Sequence, residues 1–135
     1  MQNFPSSPST SSPLVTPSSD EKLMAVFAHL SLLVPHAGII APLFIWLLNQ
    51  GKAPYACYQA KQALFFHLFV IVATWVIGII SFLIAVLTLG FGLIVLIPLL
   101  GALSLIPMVC GIIGAIHAYE GRDFRYPIIG DLVQP

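Results

Sequence analysis

Residues 63–119 read ALFFHLFVIVATWVIGIISFLIAVLTLGFGLIVLIPLLGALSLIPMVCGIIGAIHAY, without one Asp, Glu, Lys or Arg among them. A helix needs about 20 apolar residues to cross a hydrocarbon core of roughly 30 Å. The stretch is long enough for two such helices. Thr88-Leu89-Gly90-Phe91-Gly92 divides it into the runs Ala63–Leu89 and Leu93–Tyr119, the second carrying Pro98 and Pro107. Two apolar spans joined by a tight, charge-free turn predict a helical hairpin.

Composition extends this reading to the whole chain. Of 135 residues 59% are hydrophobic and 7% charged, whereas a soluble domain carries roughly 25% charged residues. Five Lys/Arg and five Asp/Glu cannot cover that much apolar side chain with water-facing groups. The expected fold is an all-α polytopic membrane bundle whose solvent is the lipid bilayer. A net charge of zero leaves no basic stripe for nucleic acid. Cys57 and Cys110 have neither the spacing nor the context of a disulfide or metal pair.

Upstream, the chain opens on a Ser/Thr/Pro-rich stretch, residues 1–19, which buries too little apolar area to offset chain entropy and is expected to be disordered. A membrane domain over residues 20–130 and a short C-terminal tail, 131–135, complete the organisation. Ser18 followed by Glu21 has the capping-box spacing for a helix start. The apolar run Leu23–Asn49 that follows is interrupted at Pro35-His36-Ala37-Gly38. It forms either one long kinked span or a re-entrant pair of half-helices, since Leu23–Val34 covers only about 18 Å at 1.5 Å per residue. Gln50–Gln62 reads as a polar connection with interfacial Tyr and Lys, and Glu120–Pro135 as a polar juxtamembrane segment.

Lys22, Lys52, Lys61, Arg122 and Arg125 all avoid the Gly90 turn. The positive-inside rule therefore places residues 50–62 and the C-terminus in the cytoplasm, in a cell membrane. The N-terminus joins them if the first segment is re-entrant, and lies outside if that segment spans.

Little in the sequence points to catalysis. His29, His36, His67 and His117 are the ionisable groups within or beside the apolar runs, and no carboxylate lies in a span to partner them. Ligand spacing of the H-x₃₋₅-H kind is absent, so no metal and no cofactor is expected. Interhelical hydrogen bonding is the role that fits these histidines. Ser31, Ser81 and Ser104 have no nearby acid, and the protein is expected not to be an enzyme. Gly111/Ala115 and Gly114/Ala118 form overlapping small-x-x-x-small pairs for helix packing, within the molecule or against another subunit. Gln59, Lys61, Gln62, Glu120, Arg122, Arg125 and Tyr126 make up a candidate interaction belt, in which Lys61-Gln62 could meet Glu120-x-Arg122.

Ala28-His29-Leu30-Ser31, the segment GIIAPLFIWLL at 38–48, Ala60-Lys61-Gln62-Ala63-Leu64-Phe65-Phe66, Ala118-Tyr119-Glu120-Gly121 and Arg125-Tyr126-Pro127 follow one another in a recognisable order. In this the chain resembles a bacterial membrane family of unknown function that is similar to the twenty-kilodalton subunit of the chloroplast inner-envelope protein translocon. The chain departs from that pattern at Phe65 and His67, and at Gly51, Ala56 and Gln59, where acidic residues are common. The resemblance implies a non-enzymatic, translocon-subunit-like protein that packs against other membrane proteins or itself. A small transporter or channel is the alternative, with the proline breaks lining a path.

Overall fold

A computed structural model describes residues 16–34 and 36–133, and among these every regular element is helical. The Ser/Thr/Pro-rich tail lies, up to residue 15, outside the described residues. Helix α1 spans Ser19–Leu30 and starts with the full capping box: Ser18 Oγ accepts from the Glu21 N–H at 3.2 Å, and Glu21 Oε2 accepts from the Ser18 N–H at 3.0 Å. Two 3₁₀ turns, Ser31–Leu33 and Ala37–Ile39, separate α1 from α2 (Ile40–Leu48). The first apolar run is thus broken into two short helices and is not one kinked span.

Gly38 makes the reversal possible. A β-carbon at this position would lie 1.9 Å from the Ser31 carbonyl oxygen, so only glycine lets the two arms pass so closely. Contacts along α3 (Pro54–Leu87) give the direction of each arm. Glu21 Oε1 accepts from the Tyr55 N–H at 3.3 Å, while Leu32 and His36 share a cavity with His67, so α1 runs alongside α3 in the same sense. Cys57 Sγ donates to the Trp46 carbonyl at 3.7 Å, so α2 returns antiparallel. The arms form a hairpin that enters and leaves at the same end of the bundle.

Helix α3 begins at Pro54, well before the apolar run, and its 34 residues extend about 51 Å. The stretch Tyr55–Gln62, expected as a polar connection, is therefore its first two turns. Proline suits a first helical position because the donor it lacks would be unpaired there anyway. Ala53, Ala56, Ala60 and Ala63 then recur at spacings of three and four and are all buried, as are Ala25 and Ala28 of α1. Small residues allow backbones to approach closely, and that packing holds these turns in the helix despite their polar side chains.

The turn at the far end closes with Leu89 and Gly90 at φ 51° and 89°. Thr88 Oγ1 accepts from the Gly92 N–H at 2.9 Å, which ties the turn to the start of α4 (Leu93–Glu120). Helix α4 continues through Pro98 and Pro107. Most side chains of both long helices below the α1–α2 hairpin face outward, with Trp75 and Phe82 each 66% exposed. A core helix of a soluble protein would bury such residues; here only lipid can cover them.

At its other end α4 stops on Gly121, whose φ of 75° is the left-handed conformation that glycine accepts freely. The juxtamembrane segment then folds back against the bundle. Tyr126, Ile129 and Val133 are buried, and Tyr126 and Ile129 join Ala28, Leu32, Ala60, Ala63 and Phe66 in one core cluster.

Candidate functional site

The polar end of the bundle is built on one face of α3, where Gln59 and Gln62 stand one turn apart among the buried alanines. His29 of α1 enters this face completely buried. Its Nε2 lies 3.0 Å from Gln59 Oε1, and its Nδ1 lies 2.7 Å from the Tyr126 hydroxyl. The amide oxygen can only accept, so Nε2 carries the proton and Nδ1 accepts from Tyr126. Gln59 Nε2 in turn donates to Asp123 Oδ1 at 3.3 Å. The result is a directed chain, Tyr126 to His29 to Gln59 to Asp123, that joins α1, α3 and the C-terminal segment and ends on an exposed carboxylate.

Burial pushes the His29 pKa down to about 4, with the Gln59 hydrogen bond acting against the shift and the neighbouring His117 adding to it. Burial likewise raises the Tyr126 pKa, so its hydroxyl stays a donor. The Tyr126 ring stacks on Phe66 with centroids 4.0 Å apart, and Phe124 meets both Tyr126 and His29 edge-on. Gly114 opens the space: a β-carbon there would lie 2.8 Å from His29 Nδ1 and 3.0 Å from Phe124. Gly111 does the same for Leu32 and the His29 carbonyl. Gly111, Gly114, Ala115 and Ala118 are all buried, and both glycines face α1.

Gln62 anchors the end of the chain. Its Nε2 faces the Gly130 carbonyl at 3.0 Å, the Val133 carbonyl at 3.2 Å and the Tyr58 hydroxyl at 3.2 Å. Two carbonyl acceptors on one side require the amide nitrogen there.

The seven belt residues divide accordingly. Gln59, Gln62 and Tyr126 are internal and hold helices together. Glu120 pairs with Arg122 beside it, and Arg125 makes a 3.5 Å contact with Asp131, all four at the surface. Lys61 is half-buried and takes part in none of these pairs. Lys61-Gln62 and Glu120-x-Arg122 therefore do not form one cluster. His117 uses Nδ1 on its own helix, at the Ile113 carbonyl. Asp123, Phe124 and the alanine face of α3 were not singled out from the sequence. Only the alanines leave a trace in it, their spacing of three and four.

Three of the motifs that follow one another in the sequence, around His29, Gln62 and Tyr126, meet in this buried region. The model of the magnetosome magnetite crystal formation protein family (MamF/MmsF) matches residues 20–133. The chain belongs to this family. The match takes in α1 to α4 and the folded-back C-terminal segment, so the family unit and the helical bundle coincide. It gives no support to the resemblance to the chloroplast translocon subunit. No curated protein and no solved structure compared with the chain matches it.

Proposed function

We propose that this protein is a non-enzymatic component of the magnetosome membrane that acts in magnetite crystal formation through contacts made at its charged end. The family match over residues 20–133 carries the reading. The geometry supports a scaffold: buried His29, Gln59 and Tyr126, with the Gln62 amide nitrogen, join α1, α3 and the C-terminal segment. What the bundle offers to partners is the exposed set Glu120, Arg122, Asp123, Arg125 and Asp131 beside the bilayer. A translocation role has no such support. Transport is disfavoured too, because the gap between α3 and α4 is lined mainly by apolar side chains and offers ions little in place of water.

The test is genetic. Deleting the gene in a magnetite-forming bacterium should alter the size or shape of its crystals in electron micrographs, and the intact gene should restore them. A variant with Arg122→Gln, Asp123→Asn, Arg125→Gln and Asp131→Asn should reach the magnetosome membrane yet fail to restore the crystals. Unaltered crystals in the deletion strain would overturn the proposal. Full rescue by the neutralised variant would remove the charged end from it.

A further inference from the structure

The bundle differs in width between its two ends. At the end marked by the Gly90 turn, among the described residues, only α3 and α4 are present, joined by residues 88–92. At the other end α1 packs against both α4 and α3, which touch each other far less than either touches α1. Helix α2 adds a further layer on α3, and the C-terminal segment folds onto the same end. The two long helices therefore open from the turn like a V, with α1 seated between them. Each helix is about 10 Å across, so α1 and α2 together widen this end by roughly 160 Å² in cross-section.

Depth decides which part of the bilayer this width occupies. Leu87, Leu89 and Phe91 at the turn are 84%, 89% and 74% exposed, so the turn must reach hydrocarbon. At the tip of the α1–α2 hairpin, Leu33 and His36 share a cavity with His67, Val70 and Thr74, and a β-carbon on Gly38 would lie 2.7 Å from His67 Cε1. From Thr74 to Leu87 α3 runs about 20 Å further. A hydrocarbon core of roughly 30 Å that ends at the turn therefore takes in only about 10 Å of the hairpin, less than one leaflet. Phe27, Ile40 and Phe44 on its outer face are 63%, 53% and 56% exposed. Lys22 and Lys52 stand at the mouths of its two arms, at headgroup level. We propose that the protein is a one-sided membrane wedge: the hairpin spreads the single leaflet it enters, so the protein collects on a bilayer that is convex on that face. Lipid of that leaflet covers the hairpin's outer face, which is apolar down to the lysines at its mouths. This shape is independent of the charged end and of any role in crystal formation.

The experiment uses the full chain in giant phosphatidylcholine vesicles, whose zwitterionic headgroups remove net charge attraction. Ser19→Cys, in a background without Cys57 and Cys110, lets an impermeant thiol dye mark copies with the hairpin outward. Phe91→Cys marks copies with the turn outward. A narrow tube pulled from such a vesicle has a convex outer surface. Copies labelled at residue 19 should be enriched severalfold in the tube over the parent vesicle, and copies labelled at residue 91 should be depleted. Phe27→Ala, Ile40→Ala and Phe44→Ala together trim the outer face and spare the core cluster, so they should narrow this difference with helical circular dichroism unchanged. Equal partitioning of the two populations, or the reverse order, would overturn the proposal, as would a difference that the triple variant leaves intact. Two-step bleaching of single labelled particles, lost in the triple variant, would seat a second copy on the face in place of lipid and overturn it too.

Discussion

A histidine buried without a carboxylate in contact stays neutral, and His29 is held in that form by a hydroxyl donor on one nitrogen and an amide acceptor on the other. Its charge therefore couples to folding. The ordinary pKa of 6.5 applies to the unfolded chain and about 4 to the folded one, so between these values the unfolded chain binds more protons. Stability is complete above the unfolded value and is lost as pH falls from 6.5 toward 4. The groups that face His29 are Tyr126, Gln59 and His117, with Asp123 reached through Gln59. Unfolding in mixed detergent micelles, followed by circular dichroism, should show this decline, and His29→Gln should flatten it while lowering stability at neutral pH. Tyr126→Phe keeps the stack on Phe66 but leaves Nδ1 unpaired, at a cost of about 1–3 kcal/mol. A decline that persists unchanged in His29→Gln would assign the titration to another group.

At the scale of elements, the glycines of α4 separate packing from mere apolarity. Gly111 faces α1, and an added β-carbon would lie 3.1 Å from both the His29 carbonyl and Leu32. Gly101 faces open space. Gly111→Ala should destabilise by about 1–3 kcal/mol through overpacking. Gly101→Ala should be neutral, or stabilising by up to roughly 1 kcal/mol from helix propensity. Gly38→Ala should exceed both, since its β-carbon would strike a backbone carbonyl. Thermal unfolding of the three variants checks the order; equal losses at Gly101 and Gly111 would contradict the packing assignment. The sequence set Gly111 apart by its small-x-x-x-small pairing with Ala115, which Gly101 lacks, and the position of α1 shows what that face packs against.

For the molecule as a whole, the start of α1, the loop before α3 and the end of α4 share one end of the bundle. Lys22, Lys52, Lys61, Arg122 and Arg125 gather there, while the Gly90 turn carries no charge. The positive-inside rule then predicts a cytoplasmic N-terminus as well as C-terminus. Single cysteines at Ser19 and Asp131, in a background without Cys57 and Cys110, should resist an impermeant thiol reagent on intact cells of a host that lacks magnetosomes and carries the protein in its cell membrane. A cysteine at Phe91 should react with it. Labelling at Ser19 with protection at Asp131 would place the two termini on opposite sides and contradict the re-entrant hairpin.

The two long helices, the turn between them and the start of α1 were legible in the sequence. Each depends on local or periodic signals: uninterrupted apolar length, a Gly-rich break, a Ser-x-x-Glu cap. The sequence also located the break near Pro35, because backbone chemistry there is local. It could not decide whether the two arms continue or fold back, since that depends on Gly38 meeting Ser31 and on α1 lying in the groove of Gly111 and Gly114. The site was the least legible part. Gln59 and Tyr126 appeared as polar groups at a membrane boundary, yet they are buried because His29, 30 residues before one and 97 before the other, supplies the hydrogen bonds that make burial tolerable. A polar residue's place inside or outside is set by whether a partner reaches it. Only the tertiary structure brings those partners together.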